Sequence, residues 1–339
     1  MGRKPKRANA IPRLRVRVQK SGATFYYYDH GGKPRREEAL GSDYGLAVKR
    51  WAEIEHAGDQ KAGEVITFAY VANKYLASEV PKKAPRTQKD NLAELGKLKE
   101  YFCDPPVSLD DIQPQHVYQY LHWRESAPIR ATREKALLSH LWNWARGKGY
   151  TSLPNPCAGI HGTKGDGRDV YVDDAEFAAL IAKADEPLRD TMDLLYLTGQ
   201  RVSDVLKMDA THLRDDHMEV LQGKTGARLR IALTGELAAV IERIMARKRA
   251  MPVCCTRLVM SERGQPLRIG AIQKRFSAAR AAAELPHIQL RDLRAKAGTD
   301  KADSSGDIRV AQKQLGHASV VMTEAYVRQR RGAKVSPTK

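Results

Sequence analysis

A glycine-rich, charged segment at residues 159–169 (Gly-Ile-His-Gly-Thr-Lys-Gly-Asp-Gly-Arg-Asp) constrains the fold more than any other feature of this sequence. Its composition is typical of a linker, because glycine and charged side chains cannot build a hydrophobic core. At 339 residues, the chain is also longer than a single core usually organises. The sequence therefore predicts separate domains on the two sides of residues 159–169.

The region before residue 60 predicts a small sheet with one packed helix. After a basic tail at residues 1–10, Leu14–Val18 alternates apolar residues with arginine, as a half-buried strand does. Further strands are predicted at residues 24–28 and 35–40, and a helix at 43–57. An arginine-lined strand can read a DNA groove, although a sheet this short can also be a plain appendage. The candidate DNA contacts here are Arg13, Arg15 and Arg17.

Residues 64–158 predict a helical domain. The expected helices run from 68 to 76 and from a Thr87 cap to 101, then from 114 to 123 and from 132 to about 148, and Thr67 is expected to cap the first of them. Lysines and arginines lie on their polar faces, with Lys82 and Lys83 as candidate DNA contacts. Such a segment fits a DNA clamp and a generic helical bundle equally well.

Residues 170–331 predict a mixed domain, followed by a basic tail at 332–339. The expected elements are helices at 173–184, 186–198 and 201–207, a hairpin at 218–233, helices near 235–250, 269–283, 291–303 and 307–315, and a last helix containing Tyr326. The fold class is therefore α+β and mainly helical.

The net charge of +18, spread over the whole chain, favours a polyanionic partner. No apolar run is long enough to span a bilayer, and no apolar stretch follows the basic start as it would in a secretion signal. The four cysteines show no metal-ligand spacing, so we expect reduced thiols in a cytoplasmic protein and no metal site.

Four places in the last domain require a joint explanation. Arg201 starts a helix, where a cation is unfavourable unless it pairs with Asp204 three residues on. Lys224 lies at the hairpin turn, where a lysine often serves only solubility. Arg291 and Arg294 are three residues apart and so share a helical face. The fourth place is the run from Leu315-Gly316-His317 to Tyr326, although a late tyrosine alone is more often a packing residue.

In this order and spacing, the four places resemble the catalytic domain of the tyrosine recombinase (phage integrase) family. The resemblance covers residues 170–331 and extends more loosely to the helical domain before them. Residues 198–204 (Thr-Gly-Gln-Arg-Val-Ser-Asp) resemble the family's first arginine box, and Leu293-Arg294 resembles the second. Lys224 lies where the family has its hairpin lysine. Leu-Gly-His, followed nine residues after the histidine by Tyr326, resembles the closing box and nucleophile.

The resemblance implies a DNA strand exchange without metal or other cofactor. Its chemistry suits these residue types: Arg201 and Arg294 can hold the non-bridging phosphate oxygens through bidentate hydrogen bonds. Lys224 can protonate the departing 5′ oxygen as a general acid, and His317 can contact the phosphate or assist the nucleophile. Tyr326 then forms a 3′-phosphotyrosyl link that conserves the phosphodiester energy, so that religation needs no ATP.

The chain departs from the family at Arg291. The second box normally reads His-x-x-Arg, and here arginine occupies the histidine position, with His287 four residues earlier. Arginine donates hydrogen bonds to phosphate but cannot act as a base at neutral pH. Arg291 is therefore predicted as a phosphate contact, and any base must be another group.

The family further implies double-stranded DNA as partner, with core sites and arm-type sites, the latter bound by residues 1–60. It implies a homo-tetramer at synapsis, optional assistance by an excisionase or a DNA-bending host protein, and a location in the bacterial cytoplasm at the nucleoid. A type IB topoisomerase or hairpin-forming resolvase uses similar chemistry. The alternatives from other classes are a DNA-binding regulator or architectural protein without cleavage activity and a metal-dependent nuclease.

Overall fold

The computed structural model describes residues 11, 13–19, 22–32, 34–56 and 65–331. The predicted basic tails at residues 1–10 and 332–339 lie outside these residues. The chain forms two compact units, residues 1–166 and 167–339, which divide inside the predicted linker.

The first unit begins with an antiparallel sheet of three strands in the order β1-β2-β3. The strands are β1 (Leu14–Val18), β2 (Thr24–Gly31) and β3 (Arg36–Gly41), and helix α1 (Tyr44–His56) follows. Tyr28 of β2 and Trp51 of α1 are buried together in the core. These elements confirm the three strands and the helix predicted for this region.

Four further helices complete the first unit: α2 (Phe68–Ser78), α3 (Pro85–Phe102), α4 (Pro114–Trp123) and α5 (Pro128–Gly147). Short 3-10 turns lie at Val80–Lys82 and Leu109–Asp111. The buried aromatic and aliphatic side chains of these helices are continuous with those of the sheet and α1. In this unit, the sheet and the helices thus share one hydrophobic core.

Two predicted helix starts were wrong. The Thr67 hydroxyl does cap α2, accepting from Tyr70 N at 3.2 Å. However, α3 begins at Pro85 and α5 at Pro128, ahead of the predicted starts at Thr87 and Thr132. Proline favours the first helical turn because its fixed φ suits the helix and the N–H it lacks has no partner there. Thr87 therefore lies in the first turn of α3, and Thr132 lies in the second turn of α5.

The second unit is mixed. Its helices are α6 (Asp174–Ala182), α7 (Glu186–Thr198), α8 (Val202–Val205), α9 (Gly235–Ala250), α10 (Ile269–Ala282), α11 (Leu290–Ser305), α12 (Ile308–Leu315) and α13 (Val320–Arg331), with a 3-10 turn at Ala210–His212. The antiparallel hairpin is formed by β4 (His217–Leu221) and β5 (Arg228–Ala232). Every predicted element of this unit is present, with ends shifted by a few residues. A core of its own surrounds α7 and α11.

Among the described residues, no helix is both long and apolar enough to cross a membrane. The four cysteines are free thiols. Burial raises the pKa of the Cys157 thiol to about 12, so this thiol stays protonated at neutral pH.

Candidate active site

Arg201 is held at the break between α7 and α8. Gly199 ends α7 with a left-handed φ of 66°, and Arg201 occupies the N-cap position of α8. The guanidinium donates from Nη1 to Gln222 Oε1 at 3.1 Å and lies 3.7 Å from Asp204 Oδ2. The predicted pairing with Asp204 therefore exists, but at a long distance. The side chain keeps 26% exposure, so it remains open to an incoming anion.

Arg294 of α11 joins the separated motifs. Its Nη1 donates to the carbonyl of Gly199 at 2.6 Å, and its Nη2 donates to the carbonyl of Leu315 at 2.7 Å. The same Nη2 lies 3.1 Å from His317 Nε2. The first arginine box, the second arginine box and the Leu-Gly-His run thus meet at one buried guanidinium.

His317 follows α12, which ends at Gly316 with a left-handed φ of 63°. Its Nδ1 lies 3.0 Å from the Thr323 hydroxyl of α13. Burial, together with the positive charges of Arg294 and Arg201, lowers the pKa of His317 to about 4. The imidazole is therefore neutral at pH 7.

The sequence reasoning missed Gln222, a fully buried residue of the hairpin. Its Oε1 accepts from Arg201 Nη1 at 3.1 Å and from the Thr225 hydroxyl at 2.7 Å. Its Nε2 donates to Gln200 Oε1 at 2.7 Å and to the Leu315 carbonyl at 2.9 Å. Gln222 thereby joins the hairpin to Arg201 and to the end of α12. A buried glutamine two residues before Lys224 leaves no distinctive pattern in the sequence.

Lys224 and Arg291 are both exposed. Lys224 lies on the hairpin turn, as predicted, and Arg291 lies one turn before Arg294 on α11. His287 Nε2 lies 3.1 Å from Glu176 Oε1, and His287 is not among the residues that contact Arg201 or Arg294 in the preceding paragraphs. Tyr326 lies on α13, and its side chain falls outside what the structure describes.

A second contact that the sequence reasoning missed fixes the start of α11. Arg168, from the end of the predicted linker, holds the buried Asp292 carboxylate with Nε–Oδ1 at 2.8 Å and Nη2–Oδ2 at 2.7 Å. Asp292 also accepts from Gln289 N at 2.8 Å, as a capping box does. The first turn of α11, which carries Arg291 and Arg294, is therefore clamped from two sides.

The candidate DNA contacts of the sheet are partly engaged within the protein. Arg13 Nη1 donates to the Tyr28 hydroxyl at 3.1 Å, and Arg15 donates from Nε and Nη2 to Asp29 Oδ2 at 3.0 and 2.9 Å. Arg17 pairs with Glu37 at 2.5 Å. Arg15 and Arg17 nevertheless stay largely exposed, at 47% and 61%.

The two candidate lysines of the helical region differ from each other. Lys82 is exposed and pairs with Glu79 at 2.9 Å, a contact that solvent screening makes weak. Lys83 is half-buried and donates to the Tyr75 hydroxyl at 2.8 Å and to Asn91 Oδ1 at 2.7 Å. Of the two ammonium groups, Lys82 is the more available to an external phosphate.

The cluster as a whole can bind and polarise an anion. Arg201 and Arg294 are permanently charged and held in place by backbone carbonyls and a buried amide, which makes them preorganised donors. In the part of the chain that the structure describes, no group of three His, Cys, Asp or Glu side chains is placed to hold a metal ion.

Gly316→Ala is expected to loosen this cluster. The left-handed φ of 63° costs an alanine about 1–2 kcal/mol, and the new Cβ would lie 2.6 Å from Gln222 Nε2. Because Gln222 is buried and bonded at both ends, relieving that contact costs about 1–3 kcal/mol more. Hydrogen exchange of the α12 amides should therefore be faster than in wild type.

The matched control is Gly226→Ala. Its φ is 70°, and a Cβ there meets nothing within 4 Å, so only the backbone strain applies. Equal acceleration of α12 exchange in both variants would show that the packing of Gln222 against Gly316 contributes nothing.

Comparisons with a family model, with known protein sequences and with solved structures agree with one another. The family model described as "Phage integrase family" matches residues 171–332. The integrase of Escherichia phage HK022 is 28% identical over 327 residues, covering 89% of this chain and 90% of that protein.

Solved structures show the same fold. A lambda integrase dimer bound to a COC' core site superposes with a TM-score of 0.70 at 20% identity, covering 99% of this chain and 100% of that one. A lambda integrase tetramer bound to a Holliday junction gives 0.69 at 21% identity, covering 97% and 98%.

Proposed function

This chain belongs to the phage integrase family and is a site-specific recombinase, and on that premise we propose that it cuts and rejoins DNA through a covalent link to Tyr326. The observation that carries the proposal is the position of Arg294. One guanidinium bonds the backbone of the first arginine box, the backbone of the Leu-Gly-His run and the His317 ring. Residues up to 118 positions apart in the chain are thereby assembled around one positive centre, counting from Gly199 to His317.

In the proposed reaction, Arg201 and Arg294 bind the two non-bridging oxygens of the scissile phosphate. The negative charge on these oxygens grows in the transition state, so fixed cations lower the barrier more than they stabilise the bound substrate. Arg291 is exposed on the same helix as Arg294 and adds a further hydrogen-bond donor toward the scissile phosphate or the phosphate next to it.

The phenol oxygen of Tyr326 attacks phosphorus, and the bond from phosphorus to the 5′ oxygen breaks. The phenol gives up its proton, and Lys224 supplies a proton to the departing 5′ oxygen. The product is a 3′-phosphotyrosyl link and a free 5′ hydroxyl. Attack by a 5′ hydroxyl from another strand reverses these steps, so rejoining needs no ATP and no metal.

The proposed partner is double-stranded DNA, with a homo-tetramer at synapsis. Lambda integrase, which has the same fold, is solved both as a dimer on a core site and as a tetramer on a Holliday junction. We assign residues 64–158 to core-site binding, residues 1–60 to arm-type sites and residues 170–331 to catalysis, joined by the linker at 159–169. An excisionase or DNA-bending host protein would act as an accessory, at the nucleoid in the bacterial cytoplasm.

The decisive test is trapping of the covalent intermediate. Duplexes that the full-length protein selects from a random-sequence library are prepared as a series, each with a single nick at a different position. Where the nick lies close to the cleavage site, the short piece of strand between them is lost after cutting, and the intermediate is trapped. We expect an adduct that survives denaturation, forms in EDTA and maps to Tyr326 by mass spectrometry of the digested complex. DNA binding without any adduct would instead support the alternative, a regulator or architectural protein of the same fold.

The same experiment in EDTA tests the third alternative from the sequence analysis. Cleavage that disappears in EDTA and leaves no protein-linked strand would identify a metal-dependent nuclease and overturn the proposal.

A further inference from the structure

Both ring nitrogens of His317 are engaged within the protein. Nε2 lies 3.1 Å from Arg294 Nη2, and Nδ1 lies 3.0 Å from the Thr323 hydroxyl. Thr323 is fully buried and belongs to α13, the helix that carries Tyr326 three residues later. The imidazole therefore contacts the second arginine box on one side and the nucleophile's helix on the other.

These contacts allow only one tautomer of the neutral ring. A guanidinium can donate hydrogen bonds but cannot accept them, so Nε2 must present its lone pair to Arg294. The proton of the neutral imidazole is then on Nδ1, and the Thr323 hydroxyl is its acceptor. The lowered pKa of His317 agrees with a ring that is neutral at pH 7.

We propose that Thr323 is a positioning residue: its hydroxyl accepts from Nδ1–H and fixes the orientation of the His317 ring, so that Nε2, which Arg294 keeps unprotonated, serves as the proton acceptor for the nucleophile. This inference rests on the proposed function and decides between the two roles open to His317. A ring in this tautomer cannot donate from Nε2 to a phosphate oxygen, whereas it can accept a proton there. It also supplies the base that an arginine at position 291 cannot be.

The proton transfer balances. When the phosphate is bound, the Arg294 Nη2 proton that faced His317 Nε2 turns to a phosphate oxygen, which frees the Nε2 lone pair. The negative charge of the phosphate also opposes the two arginine charges that disfavour a protonated His317. As Tyr326 attacks, its O–H bond breaks and an Nε2–H bond forms, while the Nδ1–H bond to Thr323 persists. On religation, the same proton returns from Nε2 to the tyrosine oxygen as the phosphotyrosyl bond breaks.

The test compares two replacements of Thr323. Thr323→Val removes the hydroxyl with little change of shape, and Thr323→Ser retains it. Nitrogen-15 NMR of histidine-labelled full-length protein reports which ring nitrogen carries the proton, with the His317 signals assigned by their loss in His317→Gln. The rate of adduct formation on a nicked duplex and the affinity for the same duplex are measured in parallel.

We expect wild type and Thr323→Ser to show a protonated Nδ1 and an unprotonated Nε2. Thr323→Val should keep an unprotonated Nε2, because Arg294 still donates to it, but its Nδ1–H signal should shift because that proton has lost its acceptor. This variant should form adduct about tenfold more slowly, as is typical when a histidine loses its orienting partner, with DNA affinity unchanged. Thr299→Val is the matched control, because the buried Thr299 hydroxyl has no hydrogen-bond partner among the described residues. This control should keep the wild-type rate.

A protonated Nε2 in wild type, or a Thr323→Val variant with the wild-type Nδ1–H signal and rate, overturns the inference. Failure of the proposed function is a different result. In that case wild type forms no adduct at all, while the NMR measurement on the free protein still decides whether Nδ1–H donates to Thr323.

Discussion

Tyr326→Phe is expected to bind DNA as tightly as wild type and to form no covalent adduct. The substitution removes one oxygen atom, the nucleophile of the proposed reaction, and leaves the arginine cluster intact. Losing a catalytic nucleophile typically lowers a rate by more than about 10⁴-fold, which here places adduct formation below detection. The measurement is denaturing electrophoresis of labelled nicked duplex after incubation with each protein, alongside a binding titration.

Tyr118→Phe provides the matched control for that experiment. Tyr118 is an exposed tyrosine of α4, in the unit that does not contain Arg294, and the same single atom is removed. This variant should form adduct at the wild-type rate. If Tyr326→Phe still yields a protein-linked strand, another residue is the nucleophile and the assignment of Tyr326 fails.

The sequence was most informative where local chemistry decides structure. Gly199, Gly306 and Gly316 each end a helix with a left-handed φ, a backbone conformation that glycine adopts without strain. Asp173 and Asp185 cap α6 and α7 through their own side chains. Such signals need only a few neighbouring residues, which explains why every element of the second unit was predictable.

The same local rules misplaced the starts of α3 and α5. A threonine just before an apolar pattern is a good N-cap, but Pro85 and Pro128 already start these helices two and four residues earlier. When proline and a hydroxyl compete for the first turn, the fixed φ of proline makes the earlier start favourable.

Contacts between distant residues were beyond sequence reasoning. Gln222 meets Leu315 across 93 positions, and Arg168 meets Asp292 across 124. Neither pair follows a periodicity, because each depends on how complete helices and the hairpin pack. The family motifs identified the groups with direct chemical roles, whereas the residues that hold those groups became visible only in the folded chain.

Lys224→Ala is expected to slow strand cleavage about 10²- to 10⁴-fold, the usual contribution of a general acid. Lys224 is exposed, yet the turn that carries it is tightly anchored: Gly223 N donates to Asp204 Oδ1 at 3.0 Å, and the Thr225 hydroxyl donates to Gln222 Oε1 at 2.7 Å. Because Gln222 and Asp204 also contact Arg201, the backbone of Lys224 is fixed relative to the guanidinium that is proposed to bind the scissile phosphate. That geometry suits a long side chain reaching the oxygen that leaves.

A substrate with sulfur in place of the departing 5′ oxygen distinguishes this role from simple charge. A thiol has a pKa of about 8.5, so the thiolate leaves without being protonated. An alcohol has a pKa near that of water, about 15.7, so its alkoxide leaves poorly unless an acid protonates it. The sulfur substrate should therefore restore Lys224→Ala to within about tenfold of wild type. Arg294→Lys weakens the binding of the non-bridging phosphate oxygens and does not affect protonation of the leaving group. This variant should therefore remain slow with both substrates. If sulfur fails to rescue Lys224→Ala, the lysine acts as a phosphate contact, and the proton for the 5′ oxygen must come from another group.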